Sequence, residues 1–360
     1  MAASLRYNTD QLHTEAINLL KKLIETPSVS RDEDKTADII QAYFEEHGVT
    51  VERKGNNVWV KNQEYSPDKP TILLNSHHDT VKPNAGYTYD PFDAFERGGK
   101  LHGLGSNDAG ASLVSLIMTF LYFYNTQDIK YNLILAATAE EEISGAGGVR
   151  SILRELGDID FGIVGEPTQM AMAIHEKGLM VLDCVVKGRA GHAARDEGEN
   201  AIYKAMGVID WFRTFEFPTK SETLGPVKMS VTMIESGTQH NVIPDTCKLV
   251  VDVRTTDAYT NEETLEIIRQ NVDCEVEERS TRLQPSRITD DHVIVQAAKA
   301  LDTETFGSPT MSDQALMPFP TVKIGPGDSN RSHMPDEYVF VDEIREGIMG
   351  YLMLLNKVIH

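Results

Sequence analysis

Four short, largely apolar runs stand out along the chain, and each leads into acidic or imidazole side chains. The runs cover residues 71–76, 132–138, 161–165 and 321–325. Runs of this length without an alternating polar face predict strands that are buried on both faces of a sheet. In open α/β sheets, ligands bind at the carboxyl ends of such strands. We therefore expect the polar residues that follow the four runs to meet at one edge.

The side chains expected at that edge have the composition of a metal site. All of them follow one of the four runs except Asp108, which directly precedes an apolar helix predicted over 109–124. In chain order they are His77, Asp79, Asp108, Glu141, Glu142, Glu166 and His333. Two imidazoles with several carboxylates predict a site for one or two zinc-like ions.

Each of these residues also has a plain structural explanation when it is taken alone. A Glu triplet can be a solvated turn, Asp108 can cap the helix after it, and a loop histidine can be solvated. Repetition at four strand ends favours the metal site. Within 140–142, one Glu is expected to bind metal and its neighbour to act as a base, because three adjacent carboxylates do not ionise together without nearby cations. His78 is expected to face away from the site.

The remaining patterns predict an α/β protein with two domains. Residues 71 to about 175 show the strand and helix order of a doubly wound sheet, and a hairpin at 49–61 makes that sheet mixed. From about residue 178, the order βαββαβ indicates an inserted ferredoxin-like unit. Helix and strand patterns of the first kind return after Pro285. We predict a catalytic domain at 1–177 and 287–360, interrupted by a smaller domain at 178–286.

Composition and charge narrow the range of partners. The 360 residues are 41% hydrophobic, which argues against disorder. With 34 basic and 55 acidic residues, the formal charge of −21 argues against nucleic acid or an anionic membrane as a partner. Three cysteines without paired or metal-type spacing fit a reducing compartment. Residues 1–7 lack the order of a signal peptide, and no run is long enough to span a membrane, so a cytoplasmic protein is expected.

With these residues laid out, the chain resembles the M20 family of co-catalytic zinc amidohydrolases, and most closely its acetylornithine deacetylase branch. Five motifs in the family's order carry the resemblance and cover nearly the whole chain. They are His77-His-Asp79-Thr-Val, Leu101-His-Gly-Leu-Gly-Ser-Asn-Asp108, Ala139-Glu-Glu-Glu-Ile-Ser-Gly145, Gly165-Glu-Pro-Thr168, and Gly325-Pro-Gly327 with His333-Met-Pro-Asp-Glu337-Tyr.

The resemblance implies two divalent ions, zinc or cobalt. His77, Asp108 and Glu166 would hold one ion, and Asp108, Glu142 and His333 the other. Asp79 would orient His77, and Glu141 would be the general base.

For the smaller domain, the resemblance implies a lid through which two chains form a homodimer. His192 would reach the partner's active site. Asn241 and Arg254 would help to hold the carboxylate of the substrate. These three roles come from the resemblance alone.

The implied activity is hydrolysis of the amide bond of an N-acyl amino acid. N-acetyl-L-ornithine and N-succinyl-L-ornithine are the expected substrates, giving L-ornithine for arginine biosynthesis. The alternatives within the family are a di- or tripeptidase and a deacylase of N-acetyl-lysine or N-succinyl-diaminopimelate. An inactive metal-binding homologue is disfavoured because Glu141 adds nothing to coordination. A nucleotide-binding module is disfavoured because no Gly-rich fingerprint follows the first strand.

Two departures from the family's pattern concern the substrate pocket. Asp108 is followed by Ala-Gly-Ala-Ser rather than Met-Lys-Gly-Gly, and Lys82 stands where Pro is usual. A buried second carboxylate, as in a succinyl group, needs a cationic partner. Lys82, Arg195 and Arg331 lie at the edges of three motifs and could supply one. The sequence therefore leaves acetyl and succinyl substrates near parity.

Overall fold

The computed structural model describes residues 8–195 and 197–360, which form two compact units. The first unit comprises residues up to 174 together with 288–306 and 312–360, and the second comprises 175–287 and 307–311. The expectation about a signal peptide concerns residues 1–7, which lie outside the described residues. None of the helices in the described ranges has the length and apolar content needed to cross a membrane.

Helices and strands are numbered in chain order. The described helices are α1 (Thr9–Ile24), α2 (Asp34–Glu46), α3 (Ala111–Phe123), α4 (Leu153–Leu156), α5 (Ala201–Thr214), α6 (Asn261–Asn271), α7 (Val293–Lys299) and α8 (Val341–Ile359). The described strands are β1 (Val51–Lys54), β2 (Asn57–Lys61), β3 (Thr71–His77), β4 (Phe95–Arg97), β5 (Lys100–His102), β6 (Asn132–Thr138), β7 (Phe161–Val164), β8 (Met172–Glu176), β9 (Gly178–Lys187), β10 (Gly191–His192), β11 (Lys228–Ser236), β12 (Val242–Ile243), β13 (Thr246–Thr255), β14 (Glu275–Glu278), β15 (Ser286–Arg287), β16 (Thr305–Ser308), β17 (Thr321–Lys323) and β18 (Tyr338–Phe340).

The first unit contains the doubly wound mixed sheet that the apolar runs predict. Its strands lie in the order β1-β2-β6-β3-β7-β17-β8, and β6, β3, β7 and β17 run parallel. Every residue of these four parallel strands is buried. Ile72 and Leu74 pack into the core formed with α1, α3 and α8, whereas Leu73 points to the opposite face, against Val149 and α4. Helical segments therefore cover both faces, and the predicted fold class is confirmed.

Two regions of the first unit differ from the sequence expectations. The sequence after the Glu triplet predicts a helix over 147–156, whereas the structure has a 3₁₀ turn at Val149–Ser151 followed by the short α4, and Gly148 before them has an extended backbone. No element was predicted for 341–359, yet this segment forms the 19-residue α8. The signal was present, since Ile344, Ile348 and Tyr351 recur at helical spacing and are buried.

The second unit has the predicted ferredoxin-like order. β9, α5, β11, β13, α6 and β14 follow one another, and their antiparallel sheet has the order β11-β13-β9-β14. Alternate residues of β9 and β13 are buried in a core shared with α5 and α6. A two-stranded ribbon of β10 and β12 is added to this frame.

Gly165 lies between β7 and Glu166, where the edge of the sheet packs closely on α3. A substitution at Gly165 tests this packing. A Cβ atom at Gly165 would lie 2.7 Å from Leu116 Cδ1 and 3.1 Å from Ser112 Cβ. We expect Gly165→Ala to lower the free energy of unfolding by about 1–3 kcal/mol, as overpacking does, in urea denaturation. Gly207→Ala in α5 is the control, because no atom lies within 4 Å of its added methyl group, and helix propensity predicts a gain of about 0.5–1 kcal/mol. An unchanged unfolding midpoint for Gly165→Ala would contradict the close packing.

Candidate active site

The parallel strands bring the candidate residues to one edge of the sheet. β3 ends at His77, β6 leads into the Glu triplet at 140–142, β7 leads into Glu166, and His333 lies in the loop after β17. Asp108 lies in the irregular turn Ser106–Gly110 that precedes α3.

His77 is deeply buried, with 1% of its side chain exposed. Its Nδ1 lies 2.9 Å from the main-chain oxygen of Asp79. Because a carbonyl oxygen only accepts hydrogen bonds, Nδ1 carries the proton. Nε2 faces the site, 3.4 Å from Asp108 Oδ1 and 3.9 Å from both Glu141 Oε2 and Glu166 Oε1. The main chain of Asp79 thus holds the ring in the orientation that a metal ligand needs.

The carboxylate of Asp79 contacts both the His77 ring and the loop after β6. It lies 3.5 Å from His77 Nδ1, and it accepts hydrogen bonds from the Ser30 hydroxyl at 2.7 Å and from the N–H groups of Glu141 at 3.0 Å and Glu142 at 3.3 Å. The Asp79 side chain therefore lies beside the His77 ring and also holds the loop after β6, while the main-chain oxygen of Asp79 makes the shorter contact with Nδ1. The orienting role of this carboxylate stays a prediction.

Asp108 lies between the two imidazoles. Its Oδ1 faces His77, and its Oδ2 is 3.6 Å from His333 Nε2, which is also 2.9 Å from Glu142 Oε2. Helix capping does not explain Asp108, because α3 begins at Ala111 and Gly110 occupies its N-cap position, with no side-chain capping hydrogen bond. The His333 side chain is 56% exposed, so this side of the site faces solvent.

The backbone separates the three adjacent glutamates. Glu140 has a left-handed backbone (φ 54°), and its carboxylate turns back to accept a hydrogen bond from Gly147 N–H at 3.1 Å. Glu141 and Glu142 begin a 3₁₀ turn and direct their carboxylates towards His77 and His333, respectively. Left-handed conformations of non-glycine residues are strained and cluster at functional sites.

Two further buried residues lie beside this edge. His78 contacts Thr36 Oγ1 at 2.9 Å and Asn56 O at 2.8 Å, so it faces away from the site, as expected. Glu33 was missed by the sequence analysis. It is fully buried and accepts hydrogen bonds from Glu140 N–H at 3.0 Å and Asn56 Nδ2 at 3.2 Å. No local pattern marks Glu33, because both partners are distant in sequence.

The crowding of carboxylates changes their protonation. Burial raises the pKa of Glu166 to about 8, with the charge of Asp108 adding to this and His77 opposing it. Burial also raises the pKa of Glu141 and of Glu142. The hydrogen bond with Glu142 raises the pKa of His333 to about 9. The site therefore retains protons unless metal cations replace them.

The donor atoms fit divalent metal ions. Within the described residues, two groups of three donors lie within 4.8 Å of one another, one from His77, Asp108 and Glu142 and one from His77, Glu141 and Glu166. Neutral imidazole nitrogens and carboxylate oxygens are ligands that zinc accepts. Positive ions would also relieve the repulsion among the carboxylates. Neither group coincides with a triad implied by the resemblance, because the first has Glu142 where the implied triad has Glu166, and the second has Glu141 where it has Asp108.

The three candidates in the second unit do not form one cluster. His192 is paired with Val242 across the ribbon, and Ala193 N–H donates to Asn241 O at 3.0 Å. Arg254 lies near the other end of β13, about 25 Å along the strand from its first residue. The Arg254 guanidinium binds both carboxylate oxygens of Asp252, at 2.9 and 3.1 Å. His192 and Asn241 are therefore neighbours, and Arg254 is remote from both.

Arg331 is not available to an acyl group. Its guanidinium binds both carboxylate oxygens of Glu343, at 2.7 and 3.0 Å, and lies over the rings of Tyr338 and Phe340. This ion pair corrects the expectation that Arg331 could face the acyl side. Lys82 and Arg195 are exposed.

Comparison with known proteins identifies the class and then the family. Fold and site define a metal-binding hydrolase. The sequence pattern of peptidase family M20/M25/M40 matches residues 73–357, and the chain belongs to this family. The resemblance drawn from the five motifs is thereby confirmed.

Relatives and a solved structure share nearly the full length of the chain. It is 27% identical to an acetylornithine deacetylase of Proteus mirabilis (strain HI4320), over 94% of this chain and 95% of the relative. It is 24% identical to succinyl-diaminopimelate desuccinylase 2 of Ruegeria sp. (strain TM1040), over 92% and 91%. The YXEP protein of Bacillus subtilis, a dinuclear metal binding peptidase from the M20 family, has a TM-score of 0.71 and 18% identity, over 96% of this chain and 99% of that one.

Metal affinity should depend on pH, because metal ions displace protons from the site. We expect the apparent affinity for Zn²⁺ to rise between about pH 6 and pH 9, since groups with raised pKa values, such as Glu166 (about 8) and His333 (about 9), must lose protons before they bind a cation. Titration calorimetry in two buffers of different ionisation enthalpy would count the protons released. An affinity that stays constant across this range would contradict the expected competition.

Proposed function

We propose that the protein hydrolyses the amide bond of an N-acyl amino acid in a metal-dependent reaction. The placement of Glu141 carries the proposal. Its carboxylate lies 3.9 Å from His77 Nε2, beside the other donors, and the next residue, Glu142, contacts His333. A general base next to a set of metal ligands is the arrangement that amide hydrolysis requires. Membership of the M20 family supports the same type of reaction.

The proposal also divides the donor residues between two zinc ions, with cobalt as the alternative metal. His77, Asp108 and Glu166 would hold one ion, and Asp108, Glu142 and His333 the other. The two oxygens of Asp108 support this division, because they face different imidazoles at 3.4 and 3.6 Å. The 2.9 Å contact between His333 and Glu142 supports the second set.

Bound divalent ions would activate a water molecule and polarise the substrate carbonyl. Glu141 accepts the proton that the water loses as its oxygen adds to the carbonyl carbon. Glu141 then returns this proton to the nitrogen as the C–N bond breaks, which gives a carboxylic acid and a free amine. The Asp79 carboxylate keeps Glu141 in place through its main-chain N–H. Acid–base catalysis of this kind contributes roughly 10²- to 10⁴-fold in rate.

The second unit provides the lid in this proposal, with residues 178–286 forming the interface of a homodimer. Apolar side chains are exposed on β11, which is an edge strand of its sheet, and on α5. Met233 is 63%, Ile234 58%, Tyr203 73% and Met206 65% exposed. An edge strand with exposed apolar residues is a surface for pairing with a second chain.

A dimer would also reconcile the positions of the three substrate-binding candidates. His192 and Asn241 lie near one end of β13, and Arg254 lies about 25 Å along the strand from that end. One chain therefore does not direct all three side chains to a single substrate carboxylate. Two chains can, if His192 and Asn241 come from one and Arg254 from the other.

Among N-acyl amino acids, N-acetyl-L-ornithine is the first candidate. The ion pair with Glu343 removes Arg331 from the cations that a succinyl preference would need. The formal charge of −21 favours a substrate with a cationic side chain. The alternatives are N-succinyl-L-ornithine, N-acetyl-lysine and N-succinyl-diaminopimelate. L-ornithine would then enter arginine biosynthesis in the cytoplasm, where the three free cysteines would remain reduced.

A di- or tripeptidase is the second candidate, because the similar Bacillus subtilis structure is named a peptidase. A substrate panel separates the two. We expect the Zn²⁺-loaded protein to release amine from N-acetyl-L-ornithine with a higher kcat/KM than from N-succinyl compounds, dipeptides or tripeptides.

Glu141→Gln should retain its metal and lose roughly 10²- to 10⁴-fold in kcat. Glu140→Gln is the matched control, because that carboxylate bonds to Gly147, and its kcat should stay close to that of the wild type. Hydrolysis of peptides alone would favour the peptidase, and metal loss from Glu141→Gln would make Glu141 a ligand.

Mixing two variants of low activity tests whether each active site takes residues from both chains of a dimer. We expect His192→Ala and Arg254→Ala each to bind metal and to lose kcat/KM on their own. After the two are mixed and allowed to exchange chains, activity should recover to about a quarter of the wild-type value, because half of the dimers are mixed and each has one complete site. A mixture that stays as inactive as its parts would place all three residues in the site of one chain.

A further inference from the structure

Glu337 lies four residues after His333 in the same loop and is 2% exposed. Its carboxylate accepts three main-chain hydrogen bonds from the turn that carries Asp108. Oε1 accepts from Asn107 N–H at 2.8 Å and Asp108 N–H at 2.9 Å, and Oε2 accepts from Gly105 N–H at 3.0 Å. Glu337 belongs to neither group of metal donors found among the described residues.

These hydrogen bonds bind the turn at 103–108, whose backbone is not that of a regular helix. Asp108 and Ala109 have non-helical backbone angles, and Gly105 has a left-handed one (φ 76°). The main-chain oxygen of Glu337 also accepts from Gly103 N–H, at 3.0 Å. Hydrogen bonds to a carboxylate are stronger than those between neutral groups. Glu337 is therefore the principal anchor of the turn at 103–108.

We propose that Glu337 is a positioning residue that sets Asp108 between His77 and His333 and thereby controls the affinity and geometry of the metal site. The inference rests on the proposed metal-dependent function. Its physical basis is that one residue joins two ligand-bearing segments, since Glu337 shares a loop with His333 and binds the N–H of Asp108. The Asp108 oxygens keep their distances of 3.4 Å to His77 and 3.6 Å to His333 only while that turn is held.

Asp336 is a matched control next to Glu337. Its carboxylate also accepts main-chain hydrogen bonds, but from a different loop, with Thr88 N–H at 2.7 Å and Tyr89 N–H at 3.3 Å. It accepts from the Thr88 hydroxyl at 2.6 Å as well. Removing this carboxylate disturbs the same region without touching the turn that carries Asp108.

The test compares Glu337→Gln with Asp336→Asn in Co²⁺ binding, which needs no substrate. In Glu337→Gln, an amide N–H₂ replaces one accepting oxygen and faces a main-chain donor. We expect its Co²⁺ affinity to fall about 10- to 100-fold, as for other partners of metal ligands, and the visible absorption spectrum of bound Co²⁺ to change. Asp336→Asn should leave both unchanged.

The outcomes separate this inference from the proposed function. If wild type and Glu337→Gln bind Co²⁺ with equal affinity and identical spectra, Glu337 does not position the site, while the metal site itself stands. A lower urea midpoint with unchanged Co²⁺ binding would likewise make Glu337 purely structural. A wild type that binds no Co²⁺ would refute the metal site, and this inference with it.

If Glu337→Gln does not fold, hydrogen exchange of the wild-type protein tests whether Glu337 holds the turn. The amides of Gly105, Asn107 and Asp108 should exchange much more slowly than those of an open loop. Exchange at the unprotected rate would overturn the proposal.

Discussion

Negative charge is concentrated at one buried edge of the sheet, and the organisation of the first unit follows from that concentration. Asp79, Asp108, Glu141, Glu142 and Glu166 lie around one buried imidazole, where joint ionisation is unfavourable without compensating charge. The protein's own groups respond with raised pKa values at the glutamates and with close contacts to His77 and His333. Divalent cations would meet the same electrostatic demand more fully. The fold must hold this repulsive group together by other means.

Backbone hydrogen bonds to three buried carboxylates, Asp79 of this group and two others outside it, provide that support. Glu33 binds the N–H of Glu140, Asp79 binds those of Glu141 and Glu142, and Glu337 binds that of Asp108. Each of these carboxylates lies on a different segment from the one it holds. The ligand-bearing loops are thus connected to one another as well as to the strands. Positions fixed in this way place donor atoms more accurately than isolated loops would.

In the proposed function, reaction type and substrate choice depend on different parts of the chain. The donors and Glu141 lie in the first unit, on strands and turns supported by a continuous core. The substrate-binding candidates of the lid lie in the second unit, which has its own core. Relatives named as a deacetylase and a desuccinylase match nearly the whole chain in sequence, and a solved peptidase shares its fold. A change of substrate can therefore arise in the second unit while the metal-binding edge is kept.

The sequence by itself determined the four buried parallel strands, the fold class and most of the residues at the edge. Strand burial and helix amphipathicity are repeated within a few residues, so they can be read locally, and even the missed helix α8 shows this spacing. Parallel pairing then forces the ends of β3, β6, β7 and β17 together. The order of the five sequence motifs also indicated the M20 family.

Only the tertiary structure decided which polar group meets which. It paired Arg331 with Glu343 and placed Arg254 near the end of β13, whereas Asn241 precedes the start of that strand. It also placed both the main-chain oxygen and the carboxylate of Asp79 beside Nδ1 of His77, and it brought Glu337 to Asp108, 229 positions away in the chain. A buried hydrogen bond depends on distance, angle and the loss of competing water. Those quantities exist only after distant segments have packed, so no local pattern encodes them.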